Sequence, residues 1–170
     1  MKVLVISDNH GEAYLMEEIF SIYQEEVDVW IHCGDSEFKE DNPVWQTYQT
    51  VRGNMDITKA FPETNVIEYY GQKFFVAHGH LHHVKTSFDA LKKAARKEDC
   101  QIVFYGHTHI PKVDKEEGIY FINPGSISQP RGPINKGSYA ILEIENNSGN
   151  ITFYDEDHHS LPQLSQKIEL

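Results

Sequence analysis

The sequence predicts an α/β fold in which two mixed β-sheets pack face to face and helices flank them. Short, continuously apolar, β-branched runs such as VLVIS at residues 3–7 suit strands buried on both faces. Helical patterns separate the early runs and turns separate the late ones, so crossover units give way to hairpins along the chain. The 170 residues suit one domain, 1–170, with a polar tail from about residue 158.

The first strand leads through DNHG into AYLMEEIFSIYQ, residues 13–24, where Leu15, Ile19, Ile22 and Tyr23 recur at helical spacing. VDVWIHCGD, residues 27–35, is again a strand closing on an aspartate, and the segment to Asn42 reads as loop or broken helix. TYQTVRGN, residues 47–54, is a third, short strand. VIEYYGQKFFVAHGH reads as two strands joined by a turn at Gly71 and Gln72. SFDALKKAARKED, residues 87–99, is a helix with Leu91, Ala94 and Ala95 toward the core and Lys92, Lys93, Arg96 and Lys97 toward solvent. QIVFY and Gly118–Ile122 are strands, and GSYAILEIE with ITFYDED forms a closing hairpin that turns over Asn147–Asn150.

Hydrophobic residues at 39% and aromatics at 12% are too many for a disordered chain. No run approaches the roughly 18 apolar residues of a membrane span. MKVLVISDNHG reads as a core strand rather than a signal peptide, so a cytoplasmic protein is expected. Cys33 and Cys100 lie in or beside apolar runs and are expected as buried free thiols. The net charge of -11 opposes long nucleic acids and anionic membranes as partners. A small phosphoester remains open to it where the local charge is reversed.

The predicted strands end at Asp8, Asp35, Asn54, His78 and His107, each beside a glycine or another small or polar residue. Strand ends of layered α/β folds converge on one crevice, so one pocket is expected to receive these groups. An ionised Asp35 after an apolar strand requires a partner. Carboxylate, imidazole and amide donors together suit manganese, zinc, iron or nickel better than calcium. So many donors point to two divalent ions sharing a carboxylate, the arrangement that activates water and clamps the oxygens of phosphoryl transfer. Such ions would also turn the site locally positive.

SDNHG, GD, GNMD, HGH, GHTH and NPGS, in this order and strand context, resemble the calcineurin-like metallophosphoesterases, and among them the small bacterial and archaeal phosphodiesterases. The resemblance runs from Lys2 to about Asp157. It implies a four-layer α/β/β/α sandwich. It also implies one ion on Asp8, His10, Asp35 and His109 and another on Asp35, Asn54, His78 and His107, with Asp35 as the bridge. The expected ions are manganese first, then nickel, zinc, iron or magnesium. The implied reaction is hydrolysis of a phosphodiester or an activated phosphomonoester by a metal-bridging hydroxide. The alternatives are a scaffold module on the same fold and a nuclease-like enzyme acting on short or cyclic nucleotides.

The third motif departs from the family pattern. Many relatives place a proton-donating histidine where this chain has Met55, which cannot donate. His80, Asp56 and His32 are the candidate substitutes, with His80 also placed to face substrate. Arg131, in NPGSISQPRG, could reach a phosphate oxygen, whereas Arg52 reads as structural. His82, His83, His158 and His159 read as solvated. A homodimer or homotetramer is expected, with Tyr69, Tyr70, Phe74 and Phe75 on hairpin strands that could present a surface.

Overall fold

The computed structural model describes residues 1–170. Its first sheet contains β1 (Lys2–Ile6), β2 (Val29–His32), β3 (Gln49–Thr50), β9 (Ser138–Glu145), β10 (Ser148–Asp155) and β11 (Gln166–Glu169), in the order β11-β10-β9-β1-β2-β3. Its second contains β4 (Thr64–Tyr69), β5 (Gln72–Ala77), β6 (Ile102–Tyr105), β7 (Lys112–Glu116) and β8 (Ile119–Asn123), in the order β4-β5-β6-β8-β7. Both sheets are mixed: β1, β2 and β3 run parallel, as do β5, β6 and β8, and antiparallel strands border them.

Alternation along the strands sorts side chains into layers. Val3, Val5 and Ile31 of the first sheet meet Phe74, Val76, Ile102 and Phe104 of the second in the largest apolar cluster. The opposite face of the first sheet, Leu4, Ile6, Trp30 and Ile141, packs on Met16 and Ile19 of α1 (Tyr14–Tyr23). The opposite face of the second, Phe75, Val103 and Phe121, packs on Leu91 and Ala95 of α2 (Asp89–Lys97). Helix, sheet, sheet and helix therefore stack in that order, as the resemblance implies.

Several local expectations change. In α1 the buried pair is Met16 and Ile19, while Ile22 is exposed. In α2 Lys92 is buried rather than solvated, because its ammonium bonds Glu117 at 2.8 Å and Glu116 at 3.0 Å. The hairpins turn one residue or more earlier than read from sequence, at Tyr70–Gly71 and Asn146–Asn147, and β7 and β8 join at Glu117–Gly118. Every one of these residues has positive φ, the type I′ geometry that matches strand twist. Phe74 and Phe75 are both buried, one between the sheets and one beneath α2, so neither can support an oligomer surface. The polar segment after residue 158 is not wholly a tail, since β11 returns to pair with β10 through Ile168, which is buried. Cys33 and Cys100 are free and buried, as expected. No helix is long and apolar enough to cross a membrane.

Candidate metal centre

The parallel strands of both sheets point their carboxyl ends at one crevice. Asp8 follows β1, Asp35 follows β2, Asn54 follows β3, His78 follows β5, and His107 and His109 follow β6. Backbone hydrogen bonds knit these loops together, Asp8 N to Gly34 O at 3.0 Å, His10 N to Asp35 O at 3.1 Å and Gly106 N to His78 O at 3.0 Å. Asp8, His10, Asp35, His107 and His109 all have positive φ. Non-glycine residues in that region carry strain that persists where the surroundings impose it, commonly at functional sites.

Two triads of donors result, Asp8 with His10 and His109, and Asp8 with Asp35 and His78, the atoms of each lying within 4.8 Å of one another. Asp8 is thus common to both, whereas the resemblance assigns the bridge to Asp35. Asp8 Oδ1 lies 3.1 Å from His109 Nε2 and 3.8 Å from both His10 Nε2 and His78 Nε2. Asp35 Oδ2 lies 3.2 Å from His78 Nε2, and its Oδ1 accepts the Met55 N–H at 2.7 Å.

The outer nitrogen of each histidine fixes its tautomer. Nδ1 of His78 donates to Cys33 O at 2.7 Å, that of His109 to Gln129 O at 2.8 Å, and that of His10 to Glu37 Oε1 at 2.7 Å. Each Nε2 is then directed inward as a donor for a cation, the usual support for metal-ligating histidine. Asp8 Oδ1 and His78 Nε2 are buried with no hydrogen-bond partner in the protein. Orphaned buried groups of this kind are costly, and a divalent ion satisfies them. The residues fit a metal pair.

Burial pushes the Asp8 carboxyl up, but His78 and His109 outweigh it and hold it below its ordinary value. Asp35 is likewise held low against burial, chiefly by the adjacent His78. Burial pulls His78 down, and Asp8 and Asp35 more than reverse that. His107 is depressed to about 4 by burial and then by His78, which outweigh the opposing effect of Asp8. Both carboxylates are therefore ionised near neutrality, which is the form that binds metal.

The other expected residues surround this centre. The His107 ring stands 5.2 Å from that of His78, and His80 stands 5.4 Å from His78. Asn54 and Met55 are exposed on the rim, where Asn54, His10, His107, His109 and Arg131 line one cleft of about 270 Å³. Two of the proposed proton donors are otherwise engaged. His32 is fully buried, donating from Nε2 to Asn9 Oδ1 and accepting the Gly34 N–H at Nδ1. Asp56 accepts from Asp35 N, Glu37 N, Gly53 N and Ser36 Oγ. His158 is not simply solvated, since its Nδ1 bonds Tyr139 Oη at 2.9 Å.

The supporting residues were less visible in the sequence. Glu37 looks in sequence like an ordinary loop residue, and Asp56, read there only as a possible proton donor, accepts from the backbones of Asp35 and Glu37. Asn123 Nδ2 donates to Gly106 O at 2.9 Å and Ser126 Oγ to Asp8 O at 2.7 Å, so NPGS ties together the loops carrying Asp8 and His107. A Cβ at Gly53 would overlap Asp35 Oδ1, and one at Gly106 would overlap Ser7 Oγ. These glycines stand beside ligands because the backbone passes too close to admit a side chain.

Residues 1–147 match the calcineurin-like phosphoesterase superfamily domain. The chain belongs to that superfamily. It is 35% identical to a probable metallophosphoesterase of Bacillus subtilis, YsnB, over 100% of both chains. It superimposes on a conserved predicted phosphoesterase of Streptococcus pneumoniae with a TM-score of 0.94 at 39% identity, covering 99% of this chain and 97% of that one. The phosphodiesterase YfcE of Escherichia coli is 27% identical over 84% of this chain and 88% of its own. Membership, together with two donor triads, marks the chain as a metal-dependent phosphoesterase with a candidate dinuclear site.

Proposed function

We propose that this phosphoesterase hydrolyses a small phosphodiester, or an activated phosphomonoester, with two divalent ions held at the crevice. The carrying observation is the convergence of three imidazole Nε2 atoms and the Asp35 carboxylate on the buried, unpartnered Asp8 Oδ1. Asp8, His10 and His109 would hold one ion and Asp8, Asp35 and His78 the other, and Asn54 and His107 would complete the sets. Bound there, the ions supply polarisation of the phosphoryl oxygens and a water of lowered pKa. Arg131, exposed in the same cleft, would take a phosphoryl oxygen. Met55 leaves its position without a proton donor, which favours esters with good leaving groups.

Preference for diesters is supported by the name of the Escherichia coli relative. Mixed nitrogen and oxygen donors support manganese first, with nickel, zinc, iron or magnesium as alternatives. A cytoplasmic location and a homodimer or homotetramer complete the proposal. Exposed Tyr70 is what remains of the aromatic support for assembly, and light scattering tests it. The deciding experiment strips the protein with chelator, then assays bis(4-nitrophenyl) phosphate and 4-nitrophenyl phosphate with each metal. Restoration of diester hydrolysis by two equivalents is expected. Inactivity with every metal would favour the scaffold reading.

A further inference from the structure

A second cleft, of about 220 Å³, adjoins the ligand cleft at Asn54 and is lined also by Arg52, Gly53, Glu63, His80 and Leu81. Arg52 is the cation of this cleft. It is half-buried, and its Nε has no hydrogen-bond partner. Arg96, by contrast, pairs with Glu117. His80 brings a second buried and unpartnered nitrogen, Nδ1, to the same cleft. The Arg52 guanidinium, with its buried Nε unused in a chain with 26 acidic residues, can take an acceptor from outside the chain.

We propose that the Arg52–His80 cleft is a subsite for an oxyanion carried on the organic part of the substrate. The preferred substrate class is then a small phosphodiester bearing a carboxylate or a second phosphate-like group set back from the scissile phosphorus. This inference rests on the phosphoesterase reading. The planar guanidinium suits two oxygens of one anion, and His80 Nδ1 is a further contact beside it. In each turnover the oxygen of water bonds to phosphorus, the ester P–O bond breaks, and the departing alcohol leaves with one of water's protons. The subsite holds the anion and takes no part in that exchange.

The test compares diphenyl phosphate with bis(3-carboxyphenyl) phosphate and bis(3-phosphonophenyl) phosphate, symmetric esters in which the orientation of binding does not matter. In the metal-loaded wild type, kcat/KM for at least one anionic ester should exceed that for diphenyl phosphate by about tenfold, the effect of one charge-assisted hydrogen bond. The faster of the two names the anion. Arg52→Met should bring that ratio near one while Arg131→Met preserves it. A wild-type ratio of one or less overturns the subsite whether or not Arg52→Met folds, and so does a ratio unchanged in a folded Arg52→Met. Those results leave the phosphoesterase reading standing. Activity on bis(4-nitrophenyl) phosphate with none on the three phenyl esters also overturns the subsite, and inactivity on all four overturns both.

Discussion

His10 Nε2 and His109 Nε2 face one another across 3.3 Å, on rings whose Nδ1 atoms donate outward to Glu37 and Gln129. Two neutral rings in these tautomers bring two lone pairs into one gap, an arrangement that a cation relieves. Manganese added to chelator-stripped protein should therefore stabilise it, by about 2.7 kcal/mol at a free concentration 100 times the Kd. His10→Ala should remove the share of one ion. Calorimetric melting during metal titration reads both effects, and a Tm indifferent to metal would contradict the assignment.

The position of Asp8 in both triads separates its role from that of Asp35. Asp8→Asn is expected to abolish binding of both ions, whereas Asp35→Asn should spare the ion shared with His10 and His109. Isothermal titration with manganese counts the ions in each variant. One ion retained by Asp8→Asn, with none in Asp35→Asn, would return the bridge to Asp35.

Layering and the chemical centre were legible in the sequence for a physical reason. Parallel strands buried on both faces, such as β1 and β6, must be continuously apolar, so the polar residue that ends each one is conspicuous. Edge strands carry a weaker signal. β7, KVDKE, has no fully buried residue, and β11 buries only Ile168, so neither has an apolar run to reveal it. The site divides in the same way. Asp8, His78 and GHTH declare themselves by residue type, while Asp56 and Glu37 act through backbone proximity that no spacing rule encodes.

His32 links the site's foundation to pH. Burial depresses its pKa from 6.5 to about 4, and the Gly34 N–H pointing at Nδ1 leaves no room for a second ring proton. The unfolded chain therefore takes up a proton first as pH falls. The stability contributed by neutral His32 is complete above about pH 6.5 and declines as pH drops toward 4, by about 3 kcal/mol in all. Urea unfolding in chelator across that range should show the decline. His32→Gln, which cannot titrate, should show a shallower one. Equal slopes in the two proteins would remove His32 as the cause.

Asp56 shows how one side chain can hold a metal site it does not enter. Its Oδ2 accepts from Asp35 N and Gly53 N, and its Oδ1 from Glu37 N and Ser36 Oγ. The first pair ties the loop bearing Asp35 to the loop bearing Asn54, and the second positions Glu37, which orients His10. Asp56→Asn preserves the shape but replaces an acceptor with an amide NH₂. Whichever way that amide turns, its protons meet at least one backbone N–H. The expected loss is at least about 2 kcal/mol, read by urea unfolding in chelator so that metal binding does not contribute. Ser36→Ala removes a single donor and should cost less. Manganese affinity should fall further in Asp56→Asn than in Ser36→Ala, because only the former loosens Asp35 and Glu37 together. Equal affinities in the two variants would show that the loops hold their ligands without this carboxylate.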